Sequence, residues 1–209
     1  MKKFKCFIDF DKEEKWLHEM AKEGYELEKV CFGYKFCCAL PKDSTIRIDY
    51  RTFKKQEDFI DYCNLFGDSG WEHIAGSRKS GAQYFKKVDE NSQGDIFSDA
   101  ISKAGKYKRL SDMCGKLTFL YLMLFVSVFY GGSFNVNSIL NPKLLYFTPG
   151  LWERTGAAFW GGFLFETPFV VLRGFVFVIP LSVILYVYLL FKARLLYNKQ
   201  KKNNDISAS

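Results

Sequence analysis

Residues 7–26, FIDFDKEEKWLHEMAKEGYE, decide the fold. Phe4, Cys6, Ile8 and Phe10 alternate as along a strand, so one face of an opening strand is apolar. Asp11 followed by Glu14 reads as a capping box, in which the first carboxylate accepts from a free helix amide and the second reaches back. Trp16, Leu17, Met20 and Ala21 then form a helical stripe that Gly24 is placed to end in the left-handed conformation. Two strands follow, over 25–32 and 34–40, with Gly33 at their turn.

The chain repeats this order. Ile48-Asp49-Tyr50 echoes Ile8-Asp9-Phe10, and Gly70-Trp71-Glu72 echoes Gly24-Tyr25-Glu26. Between them, Ile46, Ile48 and Tyr50 alternate along a strand, and Phe59, Ile60, Cys63 and Phe66 make a second stripe. Residues 71–75 and 83–87 form a closing hairpin. One βαββ unit has too little apolar surface to stand alone. Two units are expected to share a six-stranded, largely antiparallel sheet with both helices on one face, a ferredoxin-like α+β fold by duplication.

Charge divides the chain. Residues 1–88 carry 17 Lys+Arg and 15 Asp+Glu, a net of +2, whereas the whole chain is formally +7. The surplus lies in two clusters: Lys103, Lys106, Lys108, Arg109 and Lys116, then Lys192, Arg194, Lys199, Lys201 and Lys202. Between them the segments 117–134 and 169–191 are apolar and read as two membrane spans, since about 20 residues cross the hydrocarbon layer. The expected layout is a cytosolic domain at 1–88, a linker and basic juxtamembrane helix at 89–116, spans within 117–191 around an external loop at 135–168, and a basic tail at 192–209. Residues 156–165 read as an interfacial or re-entrant part of that loop. Both termini then face the cytoplasm, in line with the positive-inside tendency. Lys103, Lys106, Lys108, Arg109, Lys116, Lys192 and Arg194 are the expected membrane-surface residues, with membrane lipids as partners. The apolar face of residues 95–109 fits either an anionic leaflet or packing on its own domain. Ser127, Gly131 and Gly132 offer small surfaces for helix packing.

Taken together, FIDFDKEEKWLHEMAKEGYELEKV, IRIDYR, GWEHIAGS, AQYFKK and the two C-terminal spans resemble an uncharacterised bacterial family, domain of unknown function 2812. The resemblance covers residues 4–88 and, in layout, the membrane half. It implies a membrane-tethered protein, mostly of Gram-positive bacteria, often encoded beside PadR-type transcription regulators, with no catalytic residue to carry over.

The residues offer few sites. Asp9 and Asp49 occupy matching places in the sequence echo, with Glu26, Arg47, Arg51 and Glu72 near them in strand register. They read as a polar groove on an open sheet face, for a ligand or partner, or as surface ion pairs. The glycine-flanked run 76–81 reads as a hairpin loop or a small anion nest. Arg173, seven residues after Glu166, reads as an arginine snorkelling to headgroups or as a ligand contact. Six cysteines without paired spacing are expected to be buried reduced thiols, and no metal or cofactor site is read. Catalytic motifs are missing, and the near-neutral domain argues against direct nucleic-acid binding. The expected function is a non-enzymatic regulatory or interaction protein. The alternatives are an oligomeric transport or drug- and stress-resistance component built as a homo-oligomer, and an enzyme using the sheet-face carboxylates.

Overall fold

A computed structural model describes residues 1–89, 95–97, 100–131 and 137–207. Most of the expected polar linker, residues 90–94, lies outside the described residues, as does Gly132. The chain divides into two compact units, Met1–Met113 with Leu189–Ser209, and Cys114–Tyr188.

The first unit opens with β1 (Lys2–Lys3), α1 (Phe10–Lys22), β2 (Tyr25–Cys31) and β3 (Gly33–Cys38). β4 (Ile46–Tyr50), α2 (Gln56–Asp68), β5 (Trp71–Ala75) and β6 (Ala82–Lys87) follow in the same order. The protein is α+β, but the six strands do not share one ladder. They form two antiparallel three-stranded sheets, ordered β1-β3-β2 and β4-β6-β5, each with its last strand in the middle. The two helices also take opposite faces of the second sheet. Adjacent residues of β6 point to opposite sides: Tyr84 joins the core under α1, whereas Phe85 packs with Tyr62 and Trp71 under α2. α1 therefore packs against both sheets at once. Trp16 lies 4.8 Å from the Tyr34 ring of β3, and Phe10 lies 6.0 Å from Tyr50 of β4.

The opening strand is shorter than its alternation suggests, because residues 4–9 lead into α1 without pairing. Asp9, not Asp11, is the N-cap; its carboxylate accepts from the Asp11 amide at 3.2 Å. This frees Glu14 to turn inward. In α2, Tyr62 takes the buried position and Ile60 is exposed.

Helix ends reveal the true period. Phe10 and Gln56, Lys22 and Asp68, Gly24 and Gly70, and Tyr25 and Trp71 each stand 46 positions apart. Both glycines have positive φ, 84° and 81°, where a side chain would strain the backbone. β2 and β5 each carry a register shift, between Leu27 and Lys29 and between His73 and Ala75, again 46 apart. The 40-residue echo of Asp9 in Asp49 is thus out of register. Asp9 caps a helix, while Asp49 lies within a strand.

The other helices are α3 (Ala100–Tyr130), α4 (Asn137–Leu140), α5 (Gly156–Gly174) and α6 (Val178–Ser207), with a 3-10 turn at Phe175–Phe177 between the last two. Two stretches, Ser102–Tyr130 and Gly156–Lys202, are long and apolar enough to cross a membrane, and almost none of either apolar window is buried, unlike a soluble core helix. The second stretch is 47 residues long, about 70 Å at 1.5 Å per residue. Residues 156–165 are its first turns, not a separate re-entrant segment.

In the second unit Glu166 accepts from the amides of Phe147 and Thr148, at 2.5 and 2.9 Å, and pairs with Arg173 at 3.0 Å. Arg173 also donates to the Leu145 carbonyl at 2.5 Å. Arginine and glutamate together fasten residues 145–148 to α5, so Arg173 is not a free snorkelling cation.

Four of the six cysteines, Cys6, Cys31, Cys37 and Cys38, are exposed; only Cys114 is buried, and all six are free thiols. Cys31 ends β2, where it lines a cleft with Ile74 and Ala82, and Cys37 and Cys38 end β3.

Candidate functional site

β4 is an edge strand, so one row of its backbone groups has no ladder partner. Charged side chains cap that edge. The Ile48 amide donates to Glu14 Oε1 at 3.0 Å, and the Tyr50 carbonyl accepts from Arg109 Nε at 2.5 Å. Burying these charges is tolerable only where each finds a partner. Glu14 pairs with Lys106 Nζ at 3.1 Å and Arg47 at 3.3 Å, and Lys106 reaches Asp11 at 3.2 Å. Asp49 uses both oxygens, one for the Tyr62 hydroxyl at 2.8 Å and one for Arg109. Tyr107 donates to Asp9 at 3.1 Å and stacks on Phe10 at 5.3 Å.

Three neighbouring residues of α3, Lys106, Tyr107 and Arg109, thereby plug the open side of the α/β layers. Ala104 and Tyr107 are buried, Leu110 and Met113 pack on the same core, and the Tyr50 hydroxyl reaches Met113 Sδ at 2.6 Å. From α6, Leu196 and Tyr197 join that core and Gln200 donates to Asp11. The bases of both apolar helices are thus held by one domain.

Asp9 and Asp49 do not line an open groove, whereas Arg47 lines a cleft of about 460 Å³ with Asp11, Glu14, Lys15 and Lys103. Asp49 is 3% exposed because both sheet faces are covered, and Asp9 and Asp49 each hold one residue of α3. Arg47 also faces Asp95 at 3.6 Å. Arg51 is exposed, its guanidinium 5.5 Å from the Tyr62 ring. Glu26 bridges to Lys86 of the other sheet, and Glu72 is exposed. Three expected membrane-surface residues are also reassigned. Lys106 is 0% exposed, Arg109 is committed to Asp49, and Lys103 pairs with Asp95 at 3.0 Å. Lys108, Lys116 and Arg194 are exposed, while Lys192 is half-buried.

Glu13 joins the two sheets. It is 3% exposed, and its Oε1 accepts from Tyr34 of β3 at 2.7 Å and Tyr84 of β6 at 2.6 Å. Burial pushes its pKa above the ordinary value, against the opposing pull of the two hydroxyls, with Glu14 adding repulsion. A raised folded-state pKa gives stability that is complete below the unfolded value of 4.5 and is lost as pH rises through the folded value. Glu13→Gln keeps an oxygen for both hydroxyls. Relative to the parent, its thermal midpoint is expected to gain as pH rises from 4.5 toward 7; an unchanged difference across that window would contradict the assignment.

A second feature lies beside the paired bulges. A cleft of about 590 Å³ opens along the second half of β2 and the end of β5. Val30, Phe32, Ile74 and Ala82 supply apolar walls, and Ser77 and Ser80 are polar. Among the described residues no backbone hydrogen bond joins β2 to β5. The pairing of Gly24 with Gly70 superposes the two strands that bulge, but the bulges themselves left no signal in the sequence. The 76–81 run is not an anion nest, because the Ser77 and Ser80 amides are taken by each other's hydroxyls, at 2.6 and 3.2 Å.

A family model described as "Protein of unknown function (DUF2812)" matches residues 9–119, which includes the α1 carboxylates and the α3 residues that plug them. No curated protein and no solved structure matches the chain.

Proposed function

Because the chain belongs to the DUF2812 family, whose function is unknown, membership supplies no activity, and we propose a membrane-anchored, non-enzymatic regulatory protein. Its α+β domain, a duplicated and rearranged ferredoxin-like βαββ pair, faces the cytoplasm with both termini and is tethered by two spans. It binds a small amphiphile in the inter-sheet cleft and passes that state to the spans. The single observation carrying this reading is the plug of Lys106, Tyr107 and Arg109, by which the helix leading into the first span holds three carboxylates of the domain, Glu14, Asp9 and Asp49. The cleft volume falls in the range of small-molecule sites, roughly 300–1,000 Å³. The 46-residue period, the common strand order and the paired bulges support duplication.

Anilinonaphthalene sulfonate, an amphiphilic dye, provides a test on the detergent-solubilised full chain. It is expected to bind the native protein saturably, to lose at least tenfold in affinity when Val30→Trp fills the cleft, and to slow amide exchange over 104–110. Binding that survives Val30→Trp, or leaves 104–110 unchanged, would refute the coupling.

A further inference from the structure

Reassigning the basic residues leaves a remainder that converges. Lys103, Lys106 and Arg109 are satisfied by Asp95, Glu14 and Asp49. Lys108 of α3 and Arg194 of α6 have no ion-pair partner among the described residues, yet they line the same pocket of about 260 Å³ with Ser111, Asp112, Tyr197 and Asn198. Two unpaired cations beside a hydroxyl, a phenol and an amide make a donor-rich site, with Asp112 as the one opposing charge. A guanidinium grips phosphate oxygens in a fork and an ammonium adds a point charge. The pocket volume equals that of roughly nine waters, enough for a phosphate with its glycerol.

Position narrows the ligand. Lys108 lies nine residues before Leu117, where the apolar run of α3 begins, and Arg194 lies three after Phe191, where that of α6 ends. Both cations stand within a few turns of the segments read as spans. We propose that this pocket binds the phosphate headgroup of an anionic phospholipid, seating the domain on the cytoplasmic leaflet at one defined place. The proposal rests on the membrane reading given above, and it replaces a diffuse basic surface with two named residues.

The full chain in neutral detergent is titrated with short-chain phosphatidylglycerol, with phosphatidylcholine and with inorganic phosphate, reading the thermal midpoint. Phosphatidylglycerol is expected to raise the midpoint saturably, phosphatidylcholine to raise it less, and inorganic phosphate to leave it unchanged. Lys108→Gln with Arg194→Gln should weaken the phosphatidylglycerol response about thirtyfold, as two cations near an anionic surface imply, without altering that to phosphatidylcholine. Lys201→Gln with Lys202→Gln removes the same charge from the tail and should shift affinity less than twofold. An equal loss in the tail variant, or a full response in the Lys108/Arg194 variant, overturns the site. Saturation by inorganic phosphate alone makes it a soluble-phosphate site and overturns the lipid assignment. Indifference to both lipids removes the membrane premise, whereas loss of only the phosphatidylglycerol preference removes the pocket and leaves that premise standing.

Discussion

Lys106→Met is expected to destabilise the domain by about 3–5 kcal/mol, the cost of taking the buried cation from a buried carboxylate. Lys106 is fully buried and reaches Glu14 and Asp11, and Glu14 holds the edge amide of Ile48. Removing the ammonium leaves the Glu14 charge between α1, β4 and α3 with only the partly exposed Arg47 opposite it. Burial already pushes Glu14 above its ordinary pKa and Lys106 is the largest opposing influence, so the variant should take up a proton there and weaken further as pH rises. The double variant Glu14→Gln/Lys106→Met removes both charges, keeps an amide oxygen for the Ile48 N–H, and should recover more than half of the loss. Chemical denaturation of the four-member cycle measures this. Additive losses would mean that the two residues do not share a network.

Gln83→Leu is expected to cost about 3 kcal/mol, from several part-buried groups left without partners at roughly 1–3 kcal/mol each. The Gln83 side chain is 0% exposed; the two N–H groups of its Nε2 are shared among the carbonyls of Arg51, Ser77 and Ser80, at 3.1, 2.8 and 2.9 Å. Its Oε1 lies 3.0 Å from His73 Nε2. One amide thus ties the end of β4 and both serines of the 76–81 loop to β5. Leucine keeps the volume and removes every one of those bonds. Gln83→Glu keeps the acceptor and should lose both N–H donors, so it should fall close to leucine. Denaturant midpoints check both; a loss under 1 kcal/mol for leucine would mean that water replaces the amide.

Local signals identified much of the architecture. The stripe of α1 and the glycines that end both helices could be read directly, because a helix needs only a 3.6-residue period and a left-handed stop. The strand order and the cover of each sheet face could not, since alternation states which side chains share a face and not which element covers it. Asp49 shows the limit. Its partners Tyr62 and Arg109 are 13 and 60 residues away, so its neighbours in sequence gave no sign of burial. Lys106 and Arg109 resembled an interfacial cluster because they precede an apolar run. The signal against that reading lay in Ala104 and Tyr107, which place an apolar face beside them and demand a domain to pack on. The register error lay in accepting Ile8-Asp9-Phe10 and Ile48-Asp49-Tyr50, 40 apart, as equivalent beside a glycine pair 46 apart; the glycines, whose positive φ constrains position more tightly, carry the true period.

Hydrogen exchange along α3 in the full chain tests most directly whether the domain grips the base of this helix. Amides 104–110 should be protected to the same free energy as the centre of β6, and Lys106→Met should lower both together. Exchange of 104–110 at the rate of an exposed helix, with β6 still protected, would contradict it.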